Sequence, residues 1–362
     1  MTMKQSSARR RFLRTATGGL LTSAILTGKN VLAENPARPR IKVGQIGVGH
    51  AHASKLSVYR KSPDYEVVGI VEPDAELRKR AETQAAFKDL RWLTLEQLLN
   101  EPGLQAVLVE TRVRNLLDSA EACVAAGKHV HIDKPAGESL PQFRRILDMA
   151  AKKKLLVQMG YMYRYNPGVV LLREFLKKGW LGDIFEVHTV MSKVVPPAQR
   201  KELAAFPGGI MFELGCHVID LVVAILGKPE SVSAFPRQTV KNGDKLLDNM
   251  LAVFAYRNAT ASVKSSAIEV EGGERRHLVV CGTEGTFQIQ PLDNLSVRVA
   301  LVSARGSYRK GYQDVKLPTY TRYVDDAADM AKIIRGEKAS DFSYEHDWSV
   351  QQTLLRACGV EK

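Results

Sequence analysis

The sequence predicts an α/β protein with two domains, a parallel sheet between helices and then an α/β domain with a large, mostly antiparallel sheet. Short apolar strands alternate with helices over residues 41–160, which is typical of a parallel sheet with right-handed crossovers. From residue 247 to 301, strands follow one another without intervening helices, which favours antiparallel pairing. The length of 362 residues suits two domains, and we place them at 40–160 and 161–362.

The first domain begins with an apolar strand that ends at Gly47-Val48-Gly49. Capping residues mark later helix starts, at Thr94 with Gln97 and at Ser139 with Gln142. Strands are predicted at 41–46, 65–71, 106–110, 129–132 and 155–159, and helices at 50–60, 74–86, 115–126 and 140–153, with a short helix after Thr94.

The second domain begins where this alternation stops, near Tyr161. A Pro-rich loop is predicted around 195–197, and a long helix from Gly208-Gly209 to Gly227. The remaining strands are predicted at 184–192, 247–256, 259–268, 277–281, 286–290 and 295–301, and the remaining helices at 169–178, 321–336 and 348–358.

The charge and cysteine patterns exclude several classes of protein. The net charge is +13, but the first 33 residues hold six Lys or Arg and no acid. The other basic residues are scattered and not interleaved with aromatics, so we do not expect nucleic-acid binding. No run of 18 apolar residues follows residue 33, so no membrane span is expected. The four cysteines lack C-x-x-C spacing, which favours buried free thiols over a metal site or disulfides.

The first 33 residues are typical of an export signal. Arg9-Arg10-Arg11-Phe12-Leu13 resembles the twin-arginine signal, and a weakly apolar stretch over 17–27 leads to Val31-Leu32-Ala33, which resembles a cleavage site. We therefore expect export of the folded protein to the periplasm. The alternative is a disordered basic tail.

The loop after the first strand predicts a dinucleotide-binding Rossmann domain. Gly47 permits the tight turn, and Gly49 lets a pyrophosphate approach the backbone at the start of a helix. His52 stands where the third glycine of the G-x-G-x-x-G fingerprint would fall. Glu72 ends the second strand, where a carboxylate accepts the ribose hydroxyls of NAD and repels the 2′-phosphate of NADP, so NAD is favoured over NADP.

Further cofactor contacts are predicted from position. His50 and Ala51 lie in the loop, and Thr111 and Asp133 follow two later strands. His50 and His52 could be metal ligands, but no third ligand is near them in the sequence. We therefore interpret both histidines as lining the cleft and predict no metal.

Lys134 lies in the motif Asp133-Lys134-Pro135, directly after a strand of the parallel sheet. Ligands bind at the carboxyl ends of such strands. A lysine there can contact the cofactor and polarise a hydroxyl or carbonyl oxygen, so we predict that Lys134 is catalytic. The alternative is a surface lysine before a turn.

The helix after Gly209 carries Glu213, His217 and Asp220, which share one face if the helix is regular. An imidazole can accept a proton near neutral pH, and a neighbouring carboxylate can orient it. We therefore predict Glu213 and His217 as catalytic and Asp220 as substrate-binding. A buried structural histidine is the alternative.

Tyr161, Tyr163 and Arg164 lie at the domain junction and suit a polyhydroxylated ligand, so they are also predicted to bind substrate. Some of the tyrosines could equally serve packing.

Together, the G-x-G loop, Asp133-Lys134-Pro135 and the G-G-x-x-x-E-x-G-x-H-x-x-D run from Gly208 to Asp220 resemble the Gfo/Idh/MocA oxidoreductase family. The resemblance implies an open antiparallel sheet, NAD(P), sugar or cyclitol substrates and a homodimer or homotetramer. It also implies a catalytic lysine at Lys134 and a catalytic histidine at His217. The chain departs from the family at Asp133, where Glu is usual, at Glu213, where Asp is usual, and in the loop over 111–115.

Three functions remain open. The first is a sugar or cyclitol dehydrogenase in which His217 removes the hydroxyl proton with help from Lys134. The second follows from export, because an exported enzyme has no free NAD pool. Its cofactor would stay bound and be recycled, as in oxidoreduction between two sugars, epimerisation or glycoside cleavage through transient oxidation. The third is a non-catalytic sugar or dinucleotide sensor, which would not need an acid–base set.

Overall fold

A five-stranded parallel sheet occupies the first half of the chain in the computed structural model, which describes residues 38–360. Its strands are Ile41–Ile46 (β1), Tyr65–Val71 (β2), Leu104–Val109 (β3), His129–Ile132 (β4) and Val157–Met159 (β5). They lie in the order β2-β1-β3-β4-β5, with every pair parallel. The strand order reverses at β1, where doubly wound sheets form their ligand crevice. The predicted parallel sheet is confirmed.

Five helices connect these strands. They are Leu56–Lys61 (α1), Ala75–Glu82 (α2), Leu95–Leu99 (α3), Leu116–Ala125 (α4) and Leu140–Lys153 (α5). The capping box at Thr94 and Gln97 is present as predicted. The helix predicted over 50–60 begins later, with a 3₁₀ turn at Ala53–Lys55 before α1. The reason is that the backbone N–H of His50 donates to Glu110 O and that of His52 to Nδ1 of His50, so this segment forms a turn.

The second sheet has eight strands. They are Ile184–Ser192 (β6), Ser231–Arg237 (β7), Asn249–Ala255 (β8), Thr260–Ser266 (β9), His277–Gly282 (β10), Gly285–Ile289 (β11), Val297–Leu301 (β12) and Gly311–Val315 (β13). The order is β13-β12-β11-β10-β6-β9-β8-β7, and within this sheet only β6 and β9 pair in parallel. The predicted large, mostly antiparallel sheet is confirmed.

The two edge strands of this sheet were not predicted. β7 contains Pro236, and β13 is short and polar with a glycine at its start. Proline and short polar runs suit edge positions, because an edge strand needs fewer ladder donors, but they also weaken the sequence signal for a strand. The predicted loop after Val195 contains a short helix, Pro197–Leu203 (α7), which begins with the proline that marked it as a loop.

Four further helices complete the fold. They are Pro167–Lys177 (α6), Cys216–Leu226 (α8), Val324–Ile334 (α9) and Tyr344–Ala357 (α10). Helix α9 packs against the first sheet, although it lies in the segment predicted as the second domain. Met330 joins the same buried apolar cluster as Tyr59 and Tyr65, and the hydroxyl of Tyr65 donates to Ala327 O at 2.7 Å.

The predicted export signal, over residues 1–33, lies outside the described residues. Across residues 38–360, we find no helix with the length and apolar character needed to cross a membrane.

Candidate functional site

The loop after β1 requires glycine at its first position. Gly47 has a φ of +89°, and a Cβ there would lie 2.5 Å from both N and Cα of Thr111. The backbone N–H groups of Gly49 and Ala51 donate to no residue within 38–360. Two free donors beside a close-approach glycine are what an anionic ligand of this loop needs, so the loop fits a dinucleotide pyrophosphate.

A cleft of about 520 Å³ lies at the end of β1, where Ile46, Glu72 and Thr111 line it. The Glu72 carboxylate accepts the backbone N–H of Val48 at 2.9 Å and that of Asp74 at 3.0 Å. These bonds hold the carboxylate in place and leave lone pairs for ribose hydroxyls. The guanidinium of Arg78 lines the same cleft, 5.1 Å from the ring centre of Trp92. Arg78 and Glu72 therefore line the same cleft, where the ribose is predicted to bind.

A second cleft of about 260 Å³ joins the loop to the second domain. Gly49, His50 and Ala51 line it on one side, and Glu213 and Lys193 on the other. Three of the predicted cofactor residues and one predicted catalytic residue, Glu213, therefore line the same cleft.

Lys134 is 1% exposed, and its Nζ contacts Glu213 twice. It donates to the backbone O at 2.8 Å and to Oε1 at 3.2 Å. Burial opposes the charged form of Lys134, but Glu213, together with Cys216 and Asp133, outweighs it, and the pKa of the ammonium is raised. Burial likewise opposes the charged form of Glu213, and Lys134 holds the pKa of that carboxyl below its usual value. The pair is therefore ionised at neutral pH.

A π-helical turn, Met211–Gly215, leads into α8 and changes the predicted face of this helix. The wider turn breaks the 3.6-residue spacing between Glu213 and His217. Glu213 turns to Lys134, while Asp220 turns to Arg164 and His346. The sequence predicted that a carboxylate orients His217, but neither of these carboxylates contacts it.

His217 is buried among aromatic rings. Its ring centre lies 5.3 Å from that of Tyr163 and 6.4 Å from that of Tyr161. Its Nδ1 is buried, and the imidazole makes no hydrogen bond within the described residues. Burial, reinforced by Lys134, holds the pKa of His217 well below its usual value, so the imidazole is neutral.

The Arg164 cluster consists of Arg164, Asp220, His346 and Asp347, all close to α8 and α10. Arg164 binds Asp220 through Nε at 3.0 and 3.1 Å and through Nη2 at 2.6 Å. The same Nη2 lies 2.6 Å from Asp347, and Nε2 of His346 lies 3.1 Å from Asp220. Arg164 is 3% exposed and Asp220 is fully buried. Both were predicted to bind substrate, which stays a prediction, and in the structure their polar atoms contact each other.

The two predicted substrate tyrosines are also enclosed. Tyr161 and Tyr163 are 2% and 3% exposed, and the hydroxyl of Tyr163 donates to Asp293 at 2.5 Å. Contact with a substrate stays a prediction for these tyrosines.

The sequence prediction did not include a second group of buried charges, which we call the Asp133 cluster. It consists of His50, His52, Lys55, Glu110, His131 and Asp133. The ammonium of Lys55 donates to Asp133 Oδ2 at 2.6 Å and contacts His131 Nε2 at 2.9 Å. It also lies 3.0 Å from Glu110 Oε1. Burial raises the pKa of Glu110, while His50 and Lys55 hold the pKa of Asp133 well below its usual value despite its burial.

Asp133 of this cluster is a third possible metal ligand beside His50 and His52, and its proximity was not visible in the sequence. Those two histidines and Asp133 are close enough to hold a metal ion, as are Glu110, His131 and Asp133. The ammonium of Lys55, however, already places a positive charge between the second set of atoms. One signal could have revealed the cluster, because Glu110 and Asp133 follow the paired residues Val109 and Ile132 of adjacent strands.

Two family descriptions match this chain. Residues 41–161 match the oxidoreductase family with an NAD-binding Rossmann fold, and residues 169–288 match the GFO/IDH/MocA C-terminal domain.

Individual relatives are more distant. A scyllo-inositol 2-dehydrogenase (NADP(+)) of Bacillus subtilis is 26% identical over 201 residues, 54% of each chain. A myo-inositol 2-dehydrogenase of Thermotoga maritima is 23% identical over 255 residues, 68% of this chain and 74% of its own. The chain thus spans about half of the first relative. An NAD-binding oxidoreductase structure from Klebsiella pneumoniae has a TM-score of 0.77 at 17% identity, covering 89% of this chain and 96% of its own, which supports the fold.

Proposed function

We propose that this chain, which belongs to the GFO/IDH/MocA oxidoreductase family, is an NAD-dependent enzyme that oxidises a carbinol of a sugar, a cyclitol or a derivative. The observation that carries the proposal is the ionised Lys134–Glu213 pair beside the cleft that borders the G-x-G loop. An ammonium held there can stabilise an oxygen that gains negative charge. Two inositol dehydrogenases among the relatives support this substrate class.

The residues of the first domain would hold the cofactor. The free N–H groups of Gly49 and Ala51 would bind the pyrophosphate, and the fixed carboxylate of Glu72 would accept ribose hydroxyls. When bound, the nicotinamide accepts the hydrogen and the electron pair that leave the carbinol carbon. Glu72 supports NAD rather than NADP, because a carboxylate repels a 2′-phosphate.

Lys134 of the first domain, with His217 and Glu213 of the second, would handle the proton. Lys134 stays protonated and donates to the substrate oxygen, which lowers the cost of removing the hydroxyl proton. His217 is neutral, so it can accept that proton. Glu213 keeps Lys134 charged and positioned.

Export and a captive cofactor are further parts of the proposal. The twin-arginine pattern supports delivery of a folded protein to the periplasm, where free NAD is absent. A retained and recycled cofactor would follow, and the reaction would then pair an oxidation with a reduction in each cycle. A homo-oligomer, which the family resemblance implies, is also part of the proposal.

Purification of the protein and a panel of sugars and cyclitols test the proposal. We expect co-purifying NAD, read by its absorbance, and product formation by the wild type. Lys134→Met should reduce turnover by about 100- to 1000-fold, because it removes a donor to the reacting oxygen. Lys177→Ala, an exposed change on α6, is the control and should leave turnover unchanged.

Lys134→Met leaves the buried Glu213 carboxylate unpaired, so Lys134→Met/Glu213→Gln separates folding from catalysis. The double variant should fold and remain slow. Net release of NADH would contradict cofactor recycling, and cleavage or epimerisation without net redox change would support it. Full turnover by both variants, or no binding of NAD and no oxidation of any compound, would overturn the proposal.

A further inference from the structure

We propose that His52 and Asp133 form a catalytic dyad that takes the substrate proton from His217 and delivers it to solvent. This inference rests on the proposed function and adds a catalytic residue to it. His52 lies in the G-x-G loop, in the position of the third glycine of the fingerprint. A histidine there is not needed to bind a pyrophosphate, so its presence requires another explanation.

Asp133 fixes the orientation and the tautomer of His52. Nδ1 of His52 lies 3.1 Å from Oδ1 of Asp133. Asp133 is ionised and can only accept, so Nδ1 carries the hydrogen. Nε2 is then a free base, and no residue within 38–360 hydrogen-bonds to it. A carboxylate behind an imidazole whose far nitrogen is free is the arrangement of a general base.

His217, unlike His52, has no carboxylate of residues 38–360 in contact with its ring. It is 3% exposed, and neither Glu213 nor Asp220 contacts it, so an imidazolium formed there has no hydrogen-bonded carboxylate within the described residues and is favoured only by the more distant charge of Asp133. The ring centres of His217 and His52 lie 6.0 Å apart, a gap that a small rotation or one water can bridge. The proton therefore has a favourable next position on His52, beside Asp133.

The surroundings of His52 keep its imidazole neutral at rest. Burial, reinforced by Lys134 and His50, lowers the pKa of His52 to about 4 although Asp133 opposes that effect, so a charge on the ring is short-lived and the proton passes on. Its side chain is 17% exposed, against 1% for Lys134, which gives the proton a route out. The groups that face His52 are His50, Lys55, Asp133, Lys134, His217 and Tyr323.

Oxidation of the carbinol removes one hydride and one proton from the substrate. The carbinol carbon loses a hydrogen with its electron pair to NAD, and the O–H electron pair becomes the second bond of the carbonyl. The hydroxyl proton moves to the imidazole of His217, then to Nε2 of His52, and leaves to solvent. Asp133 stays a carboxylate throughout, and its contact with Nδ1 stabilises the imidazolium. The reverse order protonates the oxygen during reduction.

His52→Gly is the sharpest variant, because it restores the third glycine of the fingerprint. Cofactor affinity should therefore stay within about twofold of the wild type, while kcat falls by about 100-fold or more with little change in KM. Added imidazole should recover part of kcat. His188→Ala, on an exposed face of β6, is the control and should change nothing. Full kcat in His52→Gly would overturn the dyad.

A second measurement does not depend on turnover. Nitrogen NMR of ¹⁵N-histidine protein, with His52→Gly assigning the signal, should show His52 neutral at pH 7 with hydrogen on Nδ1. Asp133→Asn should weaken that preference, and EDTA should leave it unchanged. Hydrogen on Nε2, or a signal that changes on metal removal, would overturn the dyad. A wild type with the expected tautomer that oxidises nothing would contradict the proposed function and leave the dyad geometry supported.

Discussion

The Asp133 cluster and the Arg164 cluster bury similar sets of charges but differ in what lies beside them. In the first, His50 lines the cleft and lies 3.2 Å from Asp133, so the cluster borders the cleft. In the second, Arg164 binds two carboxylates, and the cluster joins α8 to α10. Burial of charge is therefore common to both clusters, and contact with the cleft distinguishes them.

Because of this difference, removal of one charge should have different consequences in the two clusters. A buried ion pair contributes little net stability, but removing one partner leaves an uncompensated charge and is strongly destabilising. Substitutions in the Arg164 cluster should therefore lower the free energy of unfolding and leave turnover unchanged. The Asp133 cluster should affect turnover through His52 and Lys134.

The largest expected effect comes from Asp220→Asn. The change removes one of the two carboxylates from Arg164 without changing size, and we expect the free energy of unfolding to fall by about 3–5 kcal/mol. Asp148→Asn, half-exposed on α5, is the control and should cost less than about 0.5 kcal/mol. Urea unfolding measures both. A loss of unfolding free energy below about 1 kcal/mol, or loss of turnover in the folded fraction, would contradict the proposed difference between the two clusters.

Glu72→Gln tests a carboxylate outside both clusters. Backbone N–H groups hold Glu72, and no cation within residues 38–360 forms an ion pair with it. We expect NAD affinity to fall by about 10- to 100-fold, since a hydrogen bond to a charged acceptor is worth about 1.5–3 kcal/mol. NADP should be disfavoured less than in the wild type, because Arg78 lines the same cleft. Titration with each cofactor measures this, with exposed Glu76→Gln as the control. Unchanged NAD affinity would remove Glu72 from the ribose site.

The smallest expected effect concerns Asp326, a buried carboxyl near Lys55. Burial raises its pKa from 3.8 to about 7. The folded protein therefore keeps this proton while the unfolded chain loses it, so the contribution to stability is full below pH 4 and is lost as pH rises through 7. The free energy of unfolding of Asp326→Asn, relative to that of the wild type, should therefore rise by roughly 2 kcal/mol between pH 5 and pH 8. Urea midpoints at both pH values measure the gain. Exposed Asp325→Asn is the control, and an equal gain there would contradict this account.

Much of the fold followed from sequence periodicity. Parallel strands such as β3 are almost wholly buried and read as apolar runs, and capping residues such as Thr94 fix helix starts. Lys134 was predictable because it follows a strand of a parallel sheet, at the edge where ligands bind.

The finer site could not be predicted, because its contacts join residues far apart in the chain. Lys55 meets Asp133 across 78 positions, and Glu213 leaves its expected face through a π turn that periodicity does not reveal. The roles of the predicted site residues remain predictions, although the structure now shows which of them meet.

Helix α9 belongs to the core of the first sheet, although it follows the second sheet in the sequence. The core of the first sheet includes Ala327 and Met330, and Arg335 binds Asp64 at 2.6 Å. Residues 41–160 therefore do not form the whole core of the first sheet, because part of it comes from a helix that follows the second sheet in the sequence. A fragment that stopped before α9 would leave Tyr59 and Tyr65 without this packing partner.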